Sequence, residues 1–230
     1  MRVVAIIPAR GGSKGIPKKN IKELNGHPLI SYTVAAAIKS EVFDKIIVST
    51  DCAEIGEYCK NLGVEVPFLR PAHLASDSAK SIDVIEHALD FLETKQSYIP
   101  DAFALLQPTS PLRRAEDILN AYEMFEYEDA KSLVSITSVP HNFNPESLYI
   151  KFKNNLKPYI IGKDVSCRQE KPLYYARNGA AIYLVNMDWF KRNNTLFNEE
   201  TVGFEMPRLR SIDIDDMEDW TLAEAVMNYE

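Results

Sequence analysis

Three short apolar runs, at residues 3–7, 46–48 and 102–106, each stop at a polar or glycine-bearing loop that leads toward a stretch of helical spacing. Continuous apolarity of that length belongs to strands buried on both faces, and strand–loop–helix repetition builds a parallel sheet covered by helices. The spacing predicts helices over 28–39, 53–61, 82–95 and 115–127, and strands over 45–49, 64–66, 101–106 and 132–139. The chain therefore reads as an α/β fold with a mostly parallel central sheet. In such a sheet the C-terminal ends of the parallel strands share one edge, and that edge is where ligands bind.

The first run opens into Pro8-Ala9-Arg10-Gly11-Gly12-Ser13-Lys14-Gly15-Ile16-Pro17-Lys18-Lys19-Asn20. Glycines at 11, 12 and 15 allow close backbone approach, so several N–H groups can face one anion while Arg10, Lys14, Lys18 and Lys19 raise the local potential. The spacing Gly-Gly-x-x-Gly matches neither a P-loop nor the Gly-x-Gly-x-x-Gly dinucleotide turn. A surface turn with solvated lysines would carry the same residues. Its charge stands out because the whole chain, 230 residues with 46% hydrophobic content, has a net charge of −7. That acidity argues against a nucleic-acid partner.

The size suits one domain. No run of 18 apolar residues is present, and the first strand is too short for a signal-peptide core, so a cytoplasmic protein with no membrane partner is expected. Cys52, Cys59 and Cys167 are scattered and read as buried thiols rather than a disulfide or zinc framework.

Further along, strand ends carry polar clusters. Ser49-Thr50-Asp51 could meet a ligand or cap the next helix through Thr50 or Asp51, and Ser78 or Ser81 could cap the helix that follows them. Gln107-Pro108-Thr109-Ser110-Pro111 is a stiff turn displaying polar side chains. From 140 to 173 the strand–helix alternation stops, and strands at 149–153 and 157–161 around an Asn154-Asn155 turn suggest an inserted hairpin that needs a partner surface. Asn178-Gly179 marks a tight turn, followed by strands at 181–185 and 201–206. In the extended segment Ser211-Ile212-Asp213-Ile214-Asp215, residues two apart share a face, which pairs Asp213 with Asp215. Two carboxylates plus phosphate oxygens are a usual way to hold Mg²⁺. Asp216 is placed to cap a last helix over 217–228.

Together these stretches resemble the CMP-N-acylneuraminate synthetases, the cytidylyltransferases that activate nonulosonic acids. The likeness rests on residues 9–15 with Lys19-Asn20, Val48-Ser49-Thr50-Asp51, Arg70-Pro71 with Leu74-Ala75-Ser76-Asp77, residues 106–113, Asn178-Gly179-Ala180, and residues 211–215. It implies a three-layer Rossmann-like nucleotidyltransferase fold, with residues 1–139 and 174–230 forming the catalytic domain and 140–173 an inserted dimerisation segment. It further implies CTP and an acidic nonulosonate sugar as substrates, Mg²⁺ as cofactor and a homodimer.

By the same resemblance Arg10, Gly11, Gly12, Ser13 and Lys14 hold the triphosphate, with Lys19 adding charge, and Asn20, Arg70, Ala79 and Ser81 frame the nucleoside. Gln107, Pro108, Thr109, Ser110, Arg168 and Asn178 face the sugar, with Arg168 on its carboxylate, and Asp213 and Asp215 bind the metal. Arg10, Lys14, Lys19 and Asp213 are the expected catalytic set. Family members often read Arg-Pro-Asn-Gly where this chain has Ala176-Arg177-Asn178-Gly179. A cytidylyltransferase for 3-deoxy-manno-octulosonate and a non-catalytic nucleotide-binding module are the alternatives. The inserted segment and the paired aspartates favour the first reading over both.

Overall fold

The first apolar run becomes strand β1 (Val3–Pro8), and its alternation sets the layers. Val3, Ala5 and Ile7 enter one buried cluster and Val4 and Ile6 another, so β1 has no solvent face. The computed structural model describes residues 1–160 and 172–229. A two-strand hairpin, β2 (Glu23–Leu24) and β3 (His27–Pro28), precedes α1 (Leu29–Lys39), β4 (Lys45–Ser49) and α2 (Ala53–Asn61). The chain continues through α3 (Ser81–Gln96), β5 (Ala102–Leu105), α4 (Ala115–Tyr127) and β6 (Ser132–Ser138). Next come β7 (Tyr149–Phe152), β8 (Asn155–Pro158), β9 (Tyr175–Arg177), β10 (Tyr183–Asn186), α5 (Met187–Asn193), β11 (Val202–Glu205) and α6 (Met217–Tyr229).

The main sheet runs β11-β6-β10-β5-β1-β4, with β9 also paired to β6. β1, β4, β5, β6 and β11 point one way, while β10 and β9 run against them. Helices α1, α2 and α4 pack on one face through Ile30, Val34, Ile55, Ile118 and Phe125. On the other face α3 and α5 pack through Ile85, Leu89, Leu92, Trp189 and Phe190. This is a three-layer Rossmann-like fold with a mostly parallel sheet, as expected.

A third, smaller core decides where the site forms. Ile16 from the glycine loop, Leu24, Leu29, Leu112, and Ile214, Trp220, Ala223 and Val226 from the C-terminal region pack together. Burying a side chain such as Ile16 or Ile214 contributes roughly 1.5–3 kcal/mol. The cluster fastens the loop after β1 to a segment nearly two hundred residues later.

Several expectations change in detail. The strand expected at 64–66 is reduced to single bridges, Ile47 to Glu65 and Thr50 to Leu69, beside β4. The hairpin turns at Lys153-Asn154, where Lys153 has φ 53°, so β8 starts at Asn155 rather than 157 and Ile161 lies outside the described residues. The strand expected at 181–185 begins at Tyr183, because β9 and β10 are two parts of one antiparallel run on β6, interrupted at residues 178–182. The β2–β3 hairpin was not anticipated, although Asn25-Gly26, with φ 47° and 82°, is a strong hairpin signal. Neither Thr50 nor Asp51 caps α2; the cap position is Cys52, with no side-chain bond. Likewise the α3 cap position is Lys80, again with no side-chain bond, and Ser81 is the first helical residue. Asp216 does cap α6, its Oδ1 accepting from the N–H groups of Glu218 (2.8 Å) and Asp219 (3.1 Å). No helix among the described residues is long and apolar enough to cross a membrane.

Candidate active site

The glycine loop leaves β1 at the C-terminal edge of the sheet, and the backbone of β4 holds its start: Ala9 N–H donates to Ser49 O at 2.9 Å. Gly11 N–H donates to Asp51 Oδ1 at 2.9 Å, so Asp51 braces the loop. A Cβ on Gly11 would stand 2.8 Å from Cys52 Cβ, which explains a glycine there. Asn20 Nδ2 donates to Arg10 O at 2.9 Å and closes the loop on itself.

The aspartate segment is clasped between two glycines. A Cβ on Gly15 would lie 2.3 Å from Asp215 O, and one on Gly179, which has φ 71°, would lie 2.5 Å from the Asp213 carboxylate. Lys19 Nζ donates to Ile214 O at 2.6 Å and stands 3.6 Å from Asp215 Oδ1. Ile214 N–H donates to Thr109 O at 2.8 Å, tying the segment to the Gln-Pro-Thr-Ser turn. As the alternation predicts, Ile214 faces inward.

Between these walls lies a cavity of about 280 Å³. Arg10, Gly12, Ser13, Lys19 and Asn20 line one side, and Asp213 and Asp215 another. Arg70, Ala79 and Ser81, with Gln107, Pro108 and Thr109, complete the ring. Pro8 and, from the motif at residues 74–77, Leu74, Ser76 and Asp77 also line it, none with a role assigned from sequence, as does Val84, which the sequence motifs do not include. Lys14 reaches it through Asp77, whose Oδ2 lies 2.9 Å from Lys14 Nζ.

Two buried arginines stiffen the walls. Arg70 donates from Nε to Ser49 Oγ at 3.0 Å, from Nη2 to Ser49 O, and from Nη1 to Leu74 O at 3.4 Å. Burial pulls its pKa down to about 10 although Asp51 opposes this. Fully buried Arg113 bonds the carbonyls of Gln107 and Ala181 and, at 2.6 Å, Thr33 Oγ1; burial pulls its pKa down to about 9. A buried cation bound to carbonyls locks the end of β5 to the turn before β10.

A second cavity of about 660 Å³ shares Ser81 and Gln107 with the first. Two cations, Lys80 and Arg177, and an apolar wall with Leu196 and Phe197 line it. The Arg177 guanidinium lies 4.3 Å from the Phe197 ring centroid.

Two expected sugar contacts, Asn178 and Ser110, line neither cavity among the described residues. Asn178 is 3% exposed, and its amide is engaged by Ser135 Oγ (2.7 Å) and Ser211 Oγ (3.0 Å), which makes it a strut rather than a ligand contact. Ser110 is buried with an unpartnered Oγ and does not line the cavity. Arg168 lies outside the described residues.

The donor chemistry fits a hard divalent cation. Asp213 Oδ1 is buried without a hydrogen-bond partner. Burial holds its carboxyl above the usual range, with Asp215 adding to the effect and Thr109 and Lys19 opposing it. Among the described residues no group of three or more His, Cys, Asp or Glu could hold a metal ion. Two carboxylates alone suit an ion such as Mg²⁺, whose other ligands are substrate oxygens and water.

Residues 4–226 match the sequence profile of a family described as cytidylyltransferase. The chain belongs to the cytidylyltransferase family. Within it, the N-acylneuraminate cytidylyltransferase of Escherichia coli O18:K1:H7 is 33% identical over 96% of this chain and 51% of its own length. The CMP-N,N'-diacetyllegionaminic acid synthase of Legionella pneumophila is 36% identical over 99% of this chain and 97% of its own. The chain thus spans about half the length of the curated N-acylneuraminate cytidylyltransferases it matches. A solved CMP:2-keto-3-deoxy-manno-octonic acid synthetase complexed with CTP superposes with TM-score 0.74, covering 100% of this chain and 99% of that one. At 16% identity this likeness speaks to the cytidylyltransferase fold alone.

Proposed function

We propose that this cytidylyltransferase joins CTP to a nine-carbon 2-keto-3-deoxy acid sugar, N-acetylneuraminic acid or a related nonulosonic acid such as legionaminic acid. The observation that carries this reading is the shared cavity, with the basic glycine loop on one wall and two carboxylates on the other. Arg10, Ser13, Lys14 and the backbone of Gly12 bind the triphosphate, and Lys19 neutralises charge beside the α-phosphate. Gly11, expected among them, does not line the cavity and gives its N–H to Asp51. Asn20, Arg70, Ala79 and Ser81 frame the nucleoside. Gln107 and the Pro108-Thr109 turn orient the sugar, whose anomeric oxygen forms a bond to the α-phosphorus as the bond to pyrophosphate breaks and the hydroxyl proton leaves to solvent.

Asp213 and Asp215 would hold Mg²⁺, which when bound polarises phosphate oxygens and favours the ionised hydroxyl. Lys80 and Arg177, the cations of the adjoining cavity, complement an acidic sugar. Arg168 is a further guanidinium for its carboxylate. A homodimer formed through residues 140–173 belongs to the same reading, supported by an exposed apolar hairpin that includes Tyr149, Ile150, Phe152 and Leu156. So does a cytoplasmic setting, where CTP is available.

Pyrophosphate release from CTP and Mg²⁺, measured across N-acetylneuraminic acid, legionaminic acid and 3-deoxy-manno-octulosonate, tests the proposal. Release should require a nine-carbon acid and stop with EDTA. Turnover confined to the eight-carbon acid, or none with any acid, would overturn it.

A further inference from the structure

Asp77 has no role in the reaction just described, yet its carboxylate sits on the two cations of the loop. Oδ1 is 2.7 Å from Arg10 Nη1 and Oδ2 is 2.9 Å from Lys14 Nζ. Neither cation has another ion-pair partner among the described residues. The spacing of two carboxylate oxygens resembles that of two phosphate oxygens, so Asp77 meets both cations as a phosphate group would. These two hydrogen bonds, that from Lys14 first, hold its carboxyl below the usual carboxylate range. Asp77 lines the cavity on the segment that also supplies Leu74, Ser76 and Ala79. That segment is anchored apart from Asp77 itself, by Arg70 Nη1 on Leu74 O, and its turn is closed by Ala79 N–H donating to Ser76 O at 3.2 Å. Asp77 is exposed, so rotation about its own side-chain torsions frees both cations while the backbone stays in place.

We propose that Asp77 is a built-in competitor for the polyphosphate site: its carboxylate keeps Arg10 and Lys14 paired and oriented between turnovers, yields them to the incoming triphosphate, and reclaims them as pyrophosphate leaves. This rests on the reading of residues 10–14 as the phosphate cradle. Tethering makes the competitor effective. A carboxylate held beside its partners acts at an effective concentration on the order of millimolar, enough to oppose a product that binds through the same two cations. Exposed ion pairs are individually weak, so the exchange is reversible.

The test is the inhibition constant of pyrophosphate and the dissociation constant of inorganic tripolyphosphate for the wild type and for Asp77→Asn, Arg10→Ala and Glu54→Gln. Glu54 pairs with Lys18 at 3.2 Å on the same loop, so its variant makes the same charge change without touching Arg10 or Lys14. Asp77→Asn should bind both anions about three- to tenfold tighter, the weight of two exposed pairs, while Glu54→Gln stays within about twofold. Unchanged or weaker binding by Asp77→Asn, or equal tightening by Glu54→Gln, would overturn the proposal. Anion binding unaffected by Arg10→Ala would instead remove the cradle itself, which separates the two failures.

Discussion

Asp213 carries a buried carboxylate oxygen that nothing in the described chain satisfies, and its burial sets how the site responds to pH. Because folding raises its pKa above 3.8, the folded chain holds that proton more tightly than the unfolded one. Metal-free stability from this group is therefore fully present below the ordinary value and declines as pH rises through the raised one. A divalent cation needs the ionised form, so its binding expels the proton and strengthens with pH over the same window. Asp213→Asn should stabilise the metal-free protein by about 1 kcal/mol, roughly 2–4 °C in Tm by scanning calorimetry. The same variant should lower Mg²⁺-dependent pyrophosphate release by about 100-fold or more. Undiminished turnover would remove the metal role. The pairing of Asp213 with Asp215 was legible from two-residue alternation. The task of Asn178 was not, since its partner Ser135 is 43 positions away and no local pattern records that contact. Asp51 and Asp77 stand in motifs the sequence displays, but their contacts with the glycine loop are not legible for the same reason, each reaching some 40 to 67 positions back along the chain.

Among the elements, strands and helices with a strong period emerged within a residue or two, because burial on both sheet faces writes itself into continuous apolar runs. The short ones did not. β2 and β3 have two residues each, and β9 pairs only through Tyr175–Arg177 on the end of β6, too little for periodicity to register. The β7–β8 hairpin stands off the main sheet with all eight strand residues exposed. An isolated two-stranded hairpin is at best marginally stable in water, so this one calls for a covering surface. Replacing residues 149–158 by a short Gly-Ser linker should halve the mass measured by sedimentation equilibrium. A dimer that survives the replacement would place the subunit contact elsewhere.

For the molecule as a whole, one cavity takes its walls from residues 10–20, 70–84, 107–109 and 213–215, so a bound nucleotide links distant parts of the chain. CTP with Mg²⁺ at about 100 times its Kd should stabilise the fold by about 2.7 kcal/mol. That is a rise of roughly 5–10 °C in Tm for a chain of this size, read by scanning fluorimetry as a single shifted transition. A shift with CTP alone, no larger when Mg²⁺ is added, would speak against the aspartate wall. The small core of Ile16, Leu24, Ile214 and Trp220 has a consequence for biosynthesis. A nascent chain that has emerged only as far as β11 already displays its basic loop but lacks both carboxylates and the helix that seats them. Such a chain has only one wall of the proposed magnesium-nucleotide site, so on that reading competence waits for residues 213–229 to emerge.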